Sequence, residues 1–200
     1  MLRDNIPSQP LKKFALSERL RKNTKLSESA LRHKAEAPEK LSFGIVVVST
    51  SRYNILKKGE KVKDESGDLI EQLISDAGHN VAFRKLIPDD KAHIEESVRH
   101  ALNSDVDAVI FCGGTGIAPS DITIETVSPF LEKVLPGFGE IFRFLSYSEI
   151  GSAAVLSRAI AGVTKGKVFF CIPGSMDAVR LCLEKLILPE TAHIVKHARE

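Results

Sequence analysis

The stretch "AVIFCGGTGIAPSDITIET", residues 108–126, decides how this chain is read. An unbroken apolar run ends at Cys112, as expected of a strand covered on both faces. Gly113, Gly114 and Gly116 follow at once, and a polar segment opens on Asp121. Two readings compete. Glycines let backbone N–H groups close around a phosphate, with Thr115 adding a hydroxyl and Asp121 a carboxylate for a metal. Alternatively, the loop is a tight strand-to-helix turn that needs positive φ. The spacing is neither a Walker A motif nor a dinucleotide fingerprint.

Working outward, "FGIVVVST" (43–50) is a second run of the strand type. A polar loop is expected next, "SRYNILKKGEKVKDESGD". "LIEQLISDAG" then reads as a helix closed at Gly78, and "HNVAFRKLI" as a strand. "DKAHIEESVRHALNS" sets Ile94, Val98 and Leu102 at helical spacing. Downstream, a helix is expected over "DITIETVSPFLEKV". Another, over "GFGEIFRFLSYSEIG", puts Phe138, Ile141, Phe142 and Leu145 on one face. "SRAIAGV" and "KVFFCI" read as a hairpin through "TKGK", "PGSMDAVRLCLEKLI" as a turn into a helix, and "PETAHIVKHARE" as a closing helix begun by Pro189. Alternating strands and helices with short connections indicate an α/β fold: three layers, with a mostly parallel central sheet flanked by helices.

Residues 41–200 carry this pattern, and residues 1–40 do not. The first forty hold ten Lys/Arg against five Asp/Glu and no glycine. They read as an N-terminal extension, helical or partly disordered. Across all 200 residues the net charge is +2, with two tyrosines and no tryptophan, which argues against a nucleic-acid partner. No stretch reaches membrane-spanning length and no secretory h-region is evident, so a soluble, cytoplasmic protein is expected. Cys112, Cys171 and Cys182 lack metal-ligand spacing and sit in apolar runs, as buried structural thiols do.

In open α/β sheets ligands bind at the carboxyl ends of strands. Four such exits are chemically rich: "STSR" (49–52), "IPDD" (87–90), "CGGTG" (112–116) and "IPGS" (172–175). Asp121 and Glu125 would share a helical face, though Asp121 also suits a cap and Glu125 an ordinary surface ion pair. Asp90 fits a helix cap better than Asp89 does. Gly174 and Ser175 stand at a helix start, where anions bind but where serine also simply caps. Arg52, Arg143 and Arg158 can each grip an anion, or form a surface salt bridge. The histidines show no shared ligand spacing, and His193 and His197 read as a solvated pair complementing the helix dipole.

Nine segments in order, "VVVSTSR", "DESGDLI", "AGH", "LIPDD", "GGTG", "DITIE", "PGFGEIFRFLSYSEIG", "LSRAIAGV" and "IPGS", resemble the MoaB/MogA family of molybdenum-cofactor biosynthesis proteins, closer to the MoaB branch. The resemblance covers residues 43 to about 190. It implies a molybdopterin adenylyltransferase that transfers AMP from MgATP to the terminal phosphate of molybdopterin and releases pyrophosphate. A non-catalytic molybdopterin carrier of the same family is the alternative. It further implies catalytic Asp89 and Asp121, with Asp121 on Mg²⁺. Substrate contacts would come from Ser49, Ser51, Arg52, Gly113, Gly114, Thr115, Gly116, Glu140, Ser157, Pro173, Gly174 and Ser175. A trimer or hexamer, and a metal-insertion enzyme downstream, are also implied. Where MogA-like chains carry an acid before the first-loop arginine this chain has Ser51, and where they carry basic residues before the second carboxylate it has Pro119 and Ser120.

Overall fold

The computed structural model describes residues 37–200. The expectation for the N-terminal extension therefore lies almost wholly outside the described residues. The elements run β1 (Ser42–Val48), α1 (Thr50–Lys57), α2 (Glu65–Asp76), β2 (Asn80–Ile87), α3 (Lys91–Asn103), β3 (Ala108–Cys112) and α4 (Thr123–Val127). Then come β4 (Lys133–Val134), α5 (Pro136–Ile150), β5 (Ile160–Thr164), β6 (Lys167–Ile172), α6 (Met176–Cys182) and α7 (Leu188–Arg199). A π-helical turn, Leu183–Ile187, joins the last two helices.

The six strands lie in the order β2-β1-β3-β6-β5-β4. β2, β1, β3 and β6 are parallel, and β5 and β4 close the edge antiparallel to their neighbours. Alternate side chains of each inner strand enter opposite cores. Phe43, Ile45, Val47, Ile110 and Phe170 meet Ile70, Ile74, Phe142, Val179 and Ile187 of α2, α5 and the C-terminal helices. Val46, Val109, Phe111 and Phe169 meet Ile94, Val98 and Val127 of α3 and α4. Both faces are covered, which is why these strands read as continuous apolar runs rather than alternating ones.

β1 lies between β2 and β3, so the chain leaves it first to one side and then to the other. Such a switch point opens a crevice at the strand ends. The register levels those ends: Val48 pairs with Ile87, Val47 with Cys112, and Cys112 with Ile172. All four chemically rich exits therefore meet at one edge.

Three expectations change. Thr50–Lys57, expected as loop, is helical; it buries no residue, so it offers no apolar period to read. The helix expected through Val134 stops early. α4 has five residues, Pro129 sits in the 3₁₀ turn Ser128–Phe130, and Leu131 is extended, leading Lys133 and Val134 into the edge strand. On α5, Phe142 is buried but Ile141 is 50% exposed, so the buried face is narrower than its spacing implied. The hairpin is as expected: Lys165 and Gly166 both take positive φ (48° and 70°), the requirement of a two-residue turn whose twist matches its strands.

Candidate active site

The glycine loop is bent by two residues that only glycine suits. Gly113 has φ +107° and Gly114 has φ +62°. A Cβ on Gly113 would stand 2.3 Å from the Val48 carbonyl oxygen, so the loop is pressed against the end of β1. A Cβ on Gly114 would stand 2.3 Å from both Asp89 Oδ1 and Thr123 Oγ1, and one on Gly116 2.6 Å from Asp121 Oδ2. The missing side chains are therefore occupied by two carboxylates. Gly174, after β6, completes the crowd, with its Cβ position 3.5 Å from the Gly113 Cα.

Each carboxylate is fixed by its own local structure. Asp90, not Asp89, caps α3 by accepting from His93 N–H, as its position predicts. That frees Asp89, whose backbone N–H donates to Thr50 Oγ1 at 2.9 Å. Asp121 does not cap α4, whose N-cap is Ile122. It closes its own turn instead: its N–H donates to the Ala118 carbonyl, and its Oδ2 accepts from Ala118 N–H, both at 2.9 Å. A single hydrogen bond, Thr123 N–H to the Gly114 carbonyl at 3.0 Å, ties the glycine loop to α4.

Asp89 Oδ1 and Thr123 Oγ1 are the buried side-chain polar atoms without a hydrogen-bond partner among the described residues. They flank the same glycine, Gly114. Buried polar groups are nearly always paired, so two orphans at one point mark a place built for an absent partner. Burial pushes the Asp89 carboxyl above its ordinary range, and the nearby Asp121 charge pushes it further; the Ile122 backbone N–H pulls the other way. A carboxylate pair strained in this way gains from a cation or a proton.

The hydroxyls at two further exits are also uncommitted to capping. Ser49 and Ser175 occupy the N-cap positions of α1 and α6, and neither side chain makes the cap hydrogen bond. Ser49 Oγ lies 3.3 Å from Ser51 Oγ. Thr115, in the same loop, is only 3% exposed. Pro173 accepts a weak contact from Cys112 Sγ, at 3.8 Å. Burial pushes the Cys112 thiol up to about 12 and raises Cys171 and Cys182 as well, so none of the three is poised as a nucleophile.

Arg52 sits at the β1 exit and donates to Asp64 Oδ1 (3.3 Å) and Ser66 Oγ (3.0 Å). Asp64 is the N-cap of α2, accepting from Gly67 N–H, and its other oxygen pairs with Arg84 at 2.5 Å. Sequence reasoning passed over Asp64, Ser66, Thr50 and Thr123. The first had a signal, since Asp64 precedes Gly67 by three residues at a helix start. The threonines had none, because their roles depend on neighbours distant in the chain.

Glu140 and Ser157 are not joined to the loop by any hydrogen bond or ion pair among the described residues. Glu140 is exposed on α5 and Ser157 half-buried after the 3₁₀ turn Gly151–Leu156. Arg158 pairs with Glu125, so both are spent on a surface salt bridge. Glu125 thus does not join Asp121. No group of three or more His, Cys, Asp or Glu suited to a metal occurs among the described residues. Two carboxylates do fit Mg²⁺, which takes one or two protein carboxylates with substrate phosphates and water filling the remaining positions.

Comparison with known proteins extends the picture. A family model described as a probable molybdopterin binding domain matches residues 44–193. The chain is 44% identical over 174 residues to molybdenum cofactor biosynthesis protein B of Bacillus subtilis, covering 86% of this chain and 98% of that protein. It is 45% identical over 161 residues to a probable molybdopterin adenylyltransferase of Methanocaldococcus jannaschii, covering 80% of this chain and 95% of that one. The crystal structure of the tungsten cofactor synthesizing protein MoaB from Pyrococcus furiosus superposes with a TM-score of 0.72 at 42% identity, covering 82% of this chain and all of that one.

Proposed function

The chain belongs to the family of molybdenum cofactor biosynthesis proteins that carry this molybdopterin binding domain, and from that premise we propose that it is a molybdopterin adenylyltransferase. AMP passes from ATP to the terminal phosphate of molybdopterin. A phosphate oxygen bonds to the α-phosphorus, the bond to the β-phosphate breaks, and pyrophosphate leaves. A phosphate is already a nucleophile, so the site needs no activated Ser, Cys or His. It needs placement and charge neutralisation. The observation that carries this reading is the shared neighbourhood of Gly114, Asp89 and Thr123, with Asp121 against Gly116, at the switch point of a parallel sheet.

In this reading the backbone of Gly113–Gly116 cradles phosphate, helped by Ser49, Ser51, Arg52, Pro173, Gly174 and Ser175. Asp121 holds Mg²⁺, which when bound neutralises developing charge on the phosphate oxygens. Asp89 orients the reacting phosphates through its unpaired oxygen; its raised pKa makes it easy to neutralise beside an anion. Glu140 and Ser157 reach the substrate from the α5 side. The protein works in the cytoplasm, and the product goes to a metal-insertion enzyme for molybdenum or tungsten.

A homo-oligomer, trimer or hexamer, is part of the same proposal. α5 shows solvent a stripe of Ile141, Phe144, Tyr147 and Ile150, each at least 50% exposed, and Val155 beyond it is 81% exposed. An apolar patch of this kind marks a protein contact. The decisive experiment supplies ATP, Mg²⁺ and molybdopterin and measures pyrophosphate. Release that depends on all three is expected. A folded oligomer that binds molybdopterin without binding ATP would instead be a carrier.

A further inference from the structure

Arg52 and Arg84 meet one carboxylate, that of Asp64. Oδ1 accepts from Arg52 Nη1 at 3.3 Å, and Oδ2 accepts from Arg84 Nη2 at 2.5 Å. The two arginines are committed to different extents. Arg84 Nη2 also donates to the Asp64 carbonyl (3.0 Å), and its Nη1 donates to Asp68 Oδ1 (2.7 Å) and Glu71 Oε2 (3.1 Å). Both terminal nitrogens of that guanidinium are taken up. Arg52 bonds through a single nitrogen. Its Nη1 donates to Asp64 Oδ1 and to Ser66 Oγ (3.0 Å), which engages both hydrogens of that nitrogen. Its Nε–H and Nη2 hydrogens have no acceptor among the described residues. Nε–H and one Nη2–H point the same way, and together they form the fork that meets a phosphate through two parallel bonds.

The anchor beneath that fork is fixed. Asp64 caps α2 by accepting from Gly67 N–H. A Cβ on Gly67 would fall on the Asp64 carboxylate and stand 2.5 Å from Arg84 Nη2, so the glycine makes room for the ion pair. Ser66 is buried, and the Asp64 side chain is 11% exposed; that of Arg52 is 32% exposed and open to a ligand. Arg52, Asp64 and Ser66 all act on the Cys112 thiol, Ser66 by a hydrogen bond, and Gly113 follows Cys112 directly. We propose that Asp64, with Ser66 and locked by Arg84, is a positioning residue that presents the Nε–Nη2 fork of Arg52 to a substrate phosphate beside the glycine loop. The proposal rests on the adenylyltransferase reading for the source of that phosphate, which is ATP or molybdopterin.

Calorimetry of the full chain with ATP and, separately, with molybdopterin, each with Mg²⁺, tests this. Arg52→Met is expected to weaken one of the two about 10- to 100-fold, the size of charged hydrogen bonds lost. Arg52→Lys should cost nearly as much, since an ammonium has no fork. Asp64→Asn is expected to weaken the same substrate about tenfold and leave the other unchanged. The double variant Asp64→Asn/Arg52→Met should bind no more weakly than Arg52→Met, because Asp64 acts through Arg52. Should Asp64→Asn not fold, Ser66→Ala, which keeps the cap and the Arg84 pair, carries the same cycle. Losses that add, or a fall in melting temperature with unchanged affinity, overturn the proposal. Pyrophosphate release is measured alongside. Its absence in a wild-type chain whose binding shows the coupling would sink the adenylyltransferase reading and leave this one standing.

Discussion

The sheet has two unlike halves. Where β2, β1, β3 and β6 run parallel, the strand exits hold two buried polar atoms without a hydrogen-bond partner among the described residues, Asp89 Oδ1 and Thr123 Oγ1, near serines, Ser49 and Ser175, whose hydroxyls make no cap hydrogen bond. Where β5 and β4 turn the edge antiparallel, α5 leaves apolar side chains short of cover. Each kind of deficit names the kind of partner. Unpaired polar atoms in a crevice call for a small charged ligand, and an uncovered apolar stripe calls for another protein surface.

The strongest test of that division is Asp121→Asn. It should lower pyrophosphate release by about 10³-fold, the scale of losing several kcal/mol of metal-borne charge stabilisation, while the oligomer stays assembled. Near-normal turnover would remove Asp121 from its metal role and blur the two halves. Gly114→Ala comes next. Its αL backbone costs about 1–2 kcal/mol with a Cβ, and that Cβ would displace Asp89 or Thr123. Activity should fall about 10²-fold, as misplacement of a reacting group by about 1 Å does. Kinetics alongside thermal melts separate the loss of placement from the loss of stability.

On the other half, Phe144→Glu should weaken subunit association by about 30-fold, the effect of a burial hot spot, measured by sedimentation at a range of concentrations. An unchanged mass would mean that the stripe faces something other than a second copy. Asp89→Asn should melt higher than wild type without ligand. The folded-state pKa of Asp89 is raised, so ionising it costs stability as pH climbs above its ordinary value of 3.8. The gain should be present at pH 7 and shrink as pH falls toward 4. A variant that melts lower at neutral pH would contradict the strain assigned to the carboxylate pair. Smallest of all, Arg158→Met should change stability by less than about 1 kcal/mol, since its pairing with Glu125 is at the surface.

How legible each part was follows from where its physics resides. The inner strands announced themselves because both faces are buried, and α3 did because Ile94 and Val98 recur at helical spacing against one core. Asp90's cap was readable, because a capping bond spans three residues. α1 left no such trace, since it buries nothing. The α5 stripe misled in part, because spacing gives the face of a helix but not whether that face is covered.

Sequence alone thus determined the parallel α/β core, its four chemically rich strand exits and its family resemblance, all of which rest on local periods and short motifs. Only the tertiary structure decided that Asp89 and Asp121 press on the same glycine loop and that Thr123 and Asp89 share an unsatisfied point. Those facts depend on the register of strands far apart in the chain and on side-chain orientation. Neither is encoded in any short stretch of residues.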